Sequence, residues 1–127
     1  MVLGFSHVGL VVSDLNKTLR FYCDRLGLEK RKHRPDTGQG SEIWFLGAGS
    51  STLEVFYYAD PAKRERASGG RLDHTAWYVD DIRATMARLA ADGATFRPND
   101  PAPTSDGGFM AFTTGPDGER VELTQRP

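Results

Sequence analysis

The segment Phe5-Ser6-His7-Val8-Gly9-Leu10-Val11-Val12-Ser13-Asp14-Leu15 is written a second time as Leu72-Asp73-His74-Thr75-Ala76-Trp77-Tyr78-Val79-Asp80-Asp81-Ile82, with His7 meeting His74 at an offset of 67 residues. Asp14 meets Asp81 in the same step. Leu15, Leu19, Tyr22 and Cys23 then meet Ile82, Met86, Leu89 and Ala90, and Gly27 meets Gly93 one residue out of register. Such a repeat means two copies of one supersecondary unit, each too small to bury its own apolar face alone. A length of 127 residues suits a single domain made of two repeats, about 1–59 and 71–127, joined by a polar linker at 60–70.

The local patterns repeat as well. Leu3 to Val12 alternates in the manner of a strand, Asp14 caps a helix predicted from about Leu15 to Leu26, and Gly27 stops it. Leu28 to Arg34 reads as a strand. Glu42 to Leu46 and Thr52 to Tyr58 follow as a hairpin around Gly47-Ala48-Gly49-Ser50-Ser51. After Gly69-Gly70 the order returns: a strand from Arg71 to Val79, a helix capped by Asp81, a short strand from Ala94 to Arg97, a loop from Pro98 to Gly108 and a closing hairpin. That hairpin joins Phe109–Thr114 to Arg120–Gln125 through Gly115-Pro116-Asp117-Gly118. The expected class is α+β, with two βαβββ modules forming a curled mixed sheet and the helices on its outer face.

Charge and composition narrow the partners. With 16 basic and 17 acidic residues the chain carries no field suited to nucleic acid or to an anionic membrane. The basic run Lys30-Arg31-Lys32-His33-Arg34 is read as a solvated strand end, with His33 on the surface. No apolar run approaches the roughly 20 residues that span a bilayer, and a cytoplasmic location is expected. Cys23 is the only cysteine, so an intrachain disulfide and a thiolate zinc site are both excluded.

Each module offers one histidine on its first strand and one glutamate on its last: His7 with Glu54, and His74 with Glu122. Side chains alternate faces along a strand, so parity places His7 with Gly9 and Val11, Glu54 with Phe56 and Tyr58, and Glu122 with Arg120 and Thr124. All of these lie opposite the apolar layer. Two imidazoles and two carboxylates, with no sulfur, suit a divalent ion, and Fe(II), Ni(II), Co(II), Mn(II) and Zn(II) are all chemically permitted.

With Phe21-Tyr22 before Leu26-Gly27-Leu28, and Gly115-Pro116-Asp117-Gly118 before Val121-Glu122-Leu123, these modules and their histidines and glutamates resemble the vicinal oxygen chelate superfamily. It includes glyoxalase I, methylmalonyl-CoA epimerase, extradiol dioxygenases, fosfomycin-resistance transferases and bleomycin-type binding proteins. The resemblance implies a metal that chelates two adjacent oxygens of a small substrate. It also implies that Glu54 or Glu122 leaves the metal to remove a proton alpha to a carbonyl, as the catalytic base. The His-Glu-His-Glu set is similar to glyoxalase I. Bacterial enzymes of that type carry an arginine and an asparagine for glutathione at positions that are here Val11 and Tyr58, so the glutathione grip is absent.

In its place stand Val11, Phe56, Tyr58, Tyr78, Phe109 and Arg120 as candidate substrate contacts, with Trp44, Phe45 and Phe112 on neighbouring strands. Three functions follow from the resemblance. The first is a metal-dependent lyase or isomerase of glyoxalase type acting on something other than a glutathione adduct. The second is an Fe(II) ring-cleaving dioxygenase, an oxidoreductase acting on an aromatic substrate. The third is a drug- or metabolite-binding resistance protein. A homodimer is expected from the short linker and the open sheet edges.

Overall fold

The structure is a computed structural model, and it describes residues 1–65, 72–115, 118 and 120–127. The chain divides into two compact units, one of residues 7–73 and the other of residues 1–6 with 74–127. Strand β1 (Val2–Val11) contributes to both.

In the unit of residues 7–73, β1 leads to α1 (Leu15–Leu19), which continues as a π-helical turn over Arg20–Arg25. Strands β2 (Glu29–Arg34), β3 (Ser41–Ala48) and β4 (Ser51–Tyr58) follow. Their order is β2-β3-β4-β1, with β1 parallel to β4 and the other pairs antiparallel. Asp14 accepts a hydrogen bond from the Lys17 backbone at 2.9 Å, which caps α1 as expected. The Leu26 amide bonds back to the Phe21 carbonyl at 3.0 Å, five residues earlier. A π turn holds one residue more than an α turn, and this accounts for the one-residue slip between Gly27 and Gly93. Gly27, at φ 82, then ends the helix in a conformation that a side chain disfavours.

The helix sits on one face of its sheet. Leu15, Leu19, Tyr22 and Cys23 pack with Leu28, Trp44, Leu53 and Tyr57 around the buried Val12, Leu46 and Val55. Burial pushes the Cys23 thiol up from its usual pKa, in keeping with a small core residue. Trp44 therefore belongs to the helix side, where His33 stacks on it at 3.9 Å and Glu42 bonds both rings.

The other unit is built the same way from β5 (Leu72–Val79), α3 (Ile82–Ala91), β6 (Arg97–Pro103), β7 (Phe109–Thr114) and β8 (Arg120–Gln125), in the order β5-β8-β7-β6. Asp81 caps α3 through the Ala84 backbone at 2.9 Å. Ile82, Met86 and Leu89 pack with Val79, Phe96, Ala111 and Leu123. Residues 1–6 join this unit, with the Met1 carbonyl accepting from the Asp80 amide at 3.2 Å and Phe5 edge-on to Trp77 at 5.3 Å.

Two expectations need adjustment. The strand expected at 94–97 lies instead at Arg97–Pro103, inside what reads as a proline-broken loop. β6 is an edge strand, where prolines need not donate to a neighbour, and its ladder with β7 is irregular between Arg97 and Ala102. The linker begins as a short helix, α2 (Pro61–Glu65), whose first turn bonds to Asp60; residues 66–70 of the linker lie outside the described residues, as does Arg71. The closing turn keeps a Gly118-to-Gly115 hydrogen bond of 3.0 Å, while Pro116 and Asp117 fall outside the described residues. Among the described residues, no helix is long and apolar enough to cross a membrane.

Candidate functional site

The parallel pairing of β1 with β4 sets Gly9 opposite Glu54, and that of β5 with β8 sets Ala76 opposite Glu122. Each histidine lies two residues before the small partner, on the same face. Because Gly9 and Ala76 have little or no side chain, each glutamate has room to lean diagonally along the sheet towards its histidine. The contacts are His7 Nε2 to Glu54 Oε2 at 2.8 Å and His74 Nε2 to Glu122 Oε2 at 3.0 Å. All four residues are buried, at 9%, 8%, 4% and 7% exposure respectively. Charged groups are seldom buried without a partner, and here each unit buries an imidazole against a carboxylate.

A phenylalanine walls each pair. Phe45 on β3 stands opposite Glu54 with its ring edge-on to His7 at 6.4 Å, and Phe112 on β7 stands opposite Glu122, edge-on to His74 at 5.6 Å. The sequence reading set these two only on strands neighbouring the candidate contacts. Yet Phe45 and Phe112 are themselves 67 residues apart, the offset of the histidines, and that was the signal available.

The remaining candidates divide by face. In the unit of residues 7–73, Val11 pairs with Phe56, and Tyr58 stacks on Phe56 at 6.3 Å, all on the Glu54 side. In the other unit Tyr78 shares the His74 face under the Arg126 guanidinium, 4.0 Å from its ring, and Arg120 lies 3.9 Å over Phe112. Phe109 is placed differently. It pairs with Gln125 and shares the face of Ala111 and Leu123, with 37% exposure, because the two-residue strand period sends Met110 and Phe112 to the Glu122 side instead.

The buried histidines and glutamates are of the kind that could hold a metal ion, and each unit carries one such pair. Imidazole nitrogen with carboxylate oxygen fits a borderline or hard divalent cation, so the donor chemistry agrees with a metal.

Two βαβββ modules in tandem, each with a buried histidine–glutamate pair on the face away from its helix, define the vicinal oxygen chelate class. The chain belongs to the glyoxalase/bleomycin resistance protein/dioxygenase superfamily, whose family model matches residues 6–112. It is 27% identical to the uncharacterized protein YwbC of Bacillus subtilis strain 168, over 99% of this chain and 100% of that one. It is 32% identical to a probable lactoylglutathione lyase of Vibrio cholerae, over 94% of this chain and 88% of the relative. In fold it is similar to the crystal structure of methylmalonyl-CoA epimerase from Mycobacterium tuberculosis, with a TM-score of 0.81, 21% identity, and coverage of 99% and 89%.

Proposed function

We propose that this chain is a divalent-metal-dependent lyase or isomerase that chelates two adjacent oxygens of a small substrate and moves a proton alpha to a carbonyl. His7, Glu54, His74 and Glu122 hold the ion in this reading. The observation that carries it is the duplicated pair: the same buried imidazole–carboxylate contact occurs in both modules, at 2.8 and 3.0 Å. A divalent ion supplies positive charge that stabilises the negative charge developing on substrate oxygen. One glutamate remains a ligand. The other accepts the proton from carbon on a carboxylate oxygen and returns it to the adjacent carbon, as a positioned general base and acid. Phe45 and Phe112 keep water from the two carboxylates and raise the strength of each electrostatic contact.

The relative from Vibrio cholerae is named for lyase chemistry, which supports proton transfer ahead of oxygen chemistry. Its glutathione substrate is not carried over. In place of a polar grip, Val11 faces Phe56 and Tyr58 stacks on that ring, an apolar and aromatic surface. The ion in this reading is Fe(II), Ni(II), Co(II), Mn(II) or Zn(II).

The test uses protein reconstituted with each ion, a panel of neutral and anionic α-hydroxyketones, hemithioacetals, aromatic diols and aromatic drugs in deuterium oxide, an oxygen electrode and a binding titration. Metal-dependent deuterium incorporation at the alpha carbon, without oxygen uptake, is the expected result. Oxygen consumption with an aromatic diol and no exchange would transfer the assignment to an Fe(II) dioxygenase; tight drug binding with neither reaction would transfer it to a binding protein.

A homodimer belongs to the same reading. Phe5 and Trp77, 44% and 37% exposed, place two aromatic rings together on the surface of one unit, a feature suited to a partner copy. Sedimentation at micromolar concentration is expected to give a dimer mass, and a monomer there would remove the claim.

A further inference from the structure

The basic run on β2 is not evenly spread over the strand. Lys30 pairs with Leu46, but the next paired residue is Lys32, opposite Phe45, with Arg31 left over as a bulge. Without the extra residue, Arg31 would stand opposite Phe45, and Lys32 would stand opposite Trp44 on the helix side. The bulge therefore turns Lys32 and Arg34 to the face of Glu54. Lys30 stays on the other face, 5.6 Å from the Trp44 ring.

The bulge is held in place. The Arg31 guanidinium donates to the Gly49 carbonyl at 2.9 Å and fills the space beside Gly47, where an added Cβ would come within 2.2 Å of it. Glycine at 47 opens the slot that the bulged side chain uses.

The pairings then form two rows across the sheet of this unit. Lys32, Phe45, Glu54 and Gly9 make the first, and Arg34, Ile43, Phe56 and Val11 the second. The Lys32 ammonium lies 5.7 Å and the Arg34 guanidinium 5.9 Å from the Phe45 ring centre. An aromatic face attracts a cation and restricts a long, flexible side chain. The other unit repeats the plan: Arg97 pairs with Phe112, which pairs with Glu122, so a cation again stands outside the phenylalanine wall.

We propose that Lys32 and Arg34 form an anion subsite, and that the substrate carries, besides its two chelating oxygens, a carboxylate or phosphate held by β2. The proposal rests on the chelating centre described above. Two strand spacings separate Lys32 from Glu54, roughly 10 Å, and the long side chains shorten the reach to that of a three- or four-carbon spacer. Arginine offers the anion a planar pair of donors and lysine a point charge, so the two together suit an oxyanion.

The test is calorimetric titration of the Zn(II)-loaded protein with two chelators, acetohydroxamate and the monohydroxamate of glutarate, which differ in a distal carboxylate. The carboxylate probe is expected to bind about tenfold tighter, a preference that falls as salt rises. In the Lys32→Gln/Arg34→Gln double variant the preference disappears while acetohydroxamate binding stays within about twofold, and Lys30→Gln on the opposite face keeps the preference. Equal affinities for the two probes in the parent, or an undiminished preference in the double variant, overturn the anion subsite and leave the chelating centre standing. If metal-loaded protein binds neither hydroxamate, the chelating centre itself falls, and the subsite with it. A methyl phosphonate in place of the carboxylate identifies which oxyanion is preferred.

Discussion

Replacing Glu122 with Gln is expected to lower metal-dependent alpha-proton exchange by about a hundredfold to ten-thousandfold, the range associated with a positioned acid–base group. The substitution keeps the shape of the side chain and its place opposite Phe112 and Ala76. It removes the charge. The residue is buried, with Oε2 at 3.0 Å from His74 Nε2, so bulk water has little access from which to act as the base in its place. Glu54→Gln should act in the same way, because Glu54 meets His7 in the equivalent setting. The two substitutions separate the roles. The one that removes the base lowers turnover with the metal retained, and the one that removes the permanent ligand weakens the metal as well. Exchange rates with the metal content of each variant measured alongside check this, and unchanged exchange in both variants would exclude proton transfer by these carboxylates.

The second large effect lies in the apolar layer that fixes the sheet behind Glu54. Leu46 is fully buried at 0% exposure, among the buried Val12 and Val55, with α1 packed over the same cluster. Truncation to Ala removes three buried carbon atoms and leaves a cavity that this layer closes only in part. A loss of about 2–5 kcal/mol in unfolding free energy is expected. For Val2→Ala, a residue 49% exposed, a change within about 0.5 kcal/mol is expected. Urea unfolding of both variants measures the difference, and a Leu46→Ala loss below about 1 kcal/mol would mean that the cluster is looser than its burial indicates.

The face assignments were legible in the sequence wherever the two-residue period ran unbroken. His7, Gly9 and Val11 share one side of β1, and Glu54, Phe56 and Tyr58 share one side of β4, as parity alone requires. The helix stripe and both aspartate caps were equally legible, since Leu15, Leu19 and Tyr22 repeat as Ile82, Met86 and Leu89. Even the π turn left a trace, the single-residue slip at Gly27. What parity could not give was the consequence of an extra residue. The bulge at Arg31 reverses the faces of Lys32 and Arg34, and a run of five basic side chains offers no apolar alternation from which to detect it.

Three other features escaped for different reasons. Prolines at 98, 101 and 103 argue for a loop, yet an edge strand tolerates them because one side of its backbone has no neighbour to pair with. Phe109 looked like a pocket residue by its type; its parity with Ala111 places it on the other face. The walls Phe45 and Phe112 carried the repeat offset and were recognisable as a pair, but aromatic residues are common in cores, and only the register set them opposite the glutamates.

The central claim is that His7, Glu54, His74 and Glu122 together hold one divalent cation. The most direct measurement is equilibrium dialysis of chelator-stripped protein against Co(II), with bound metal counted per chain and the visible spectrum recorded. Saturation at a single ion per chain, with imidazole and carboxylate ligation, is the expected result. That binding is expected to be lost when one member of each pair is removed, as in His7→Ala/His74→Ala. Saturation unchanged in that double variant, or no stoichiometric binding by the parent protein, would contradict the claim.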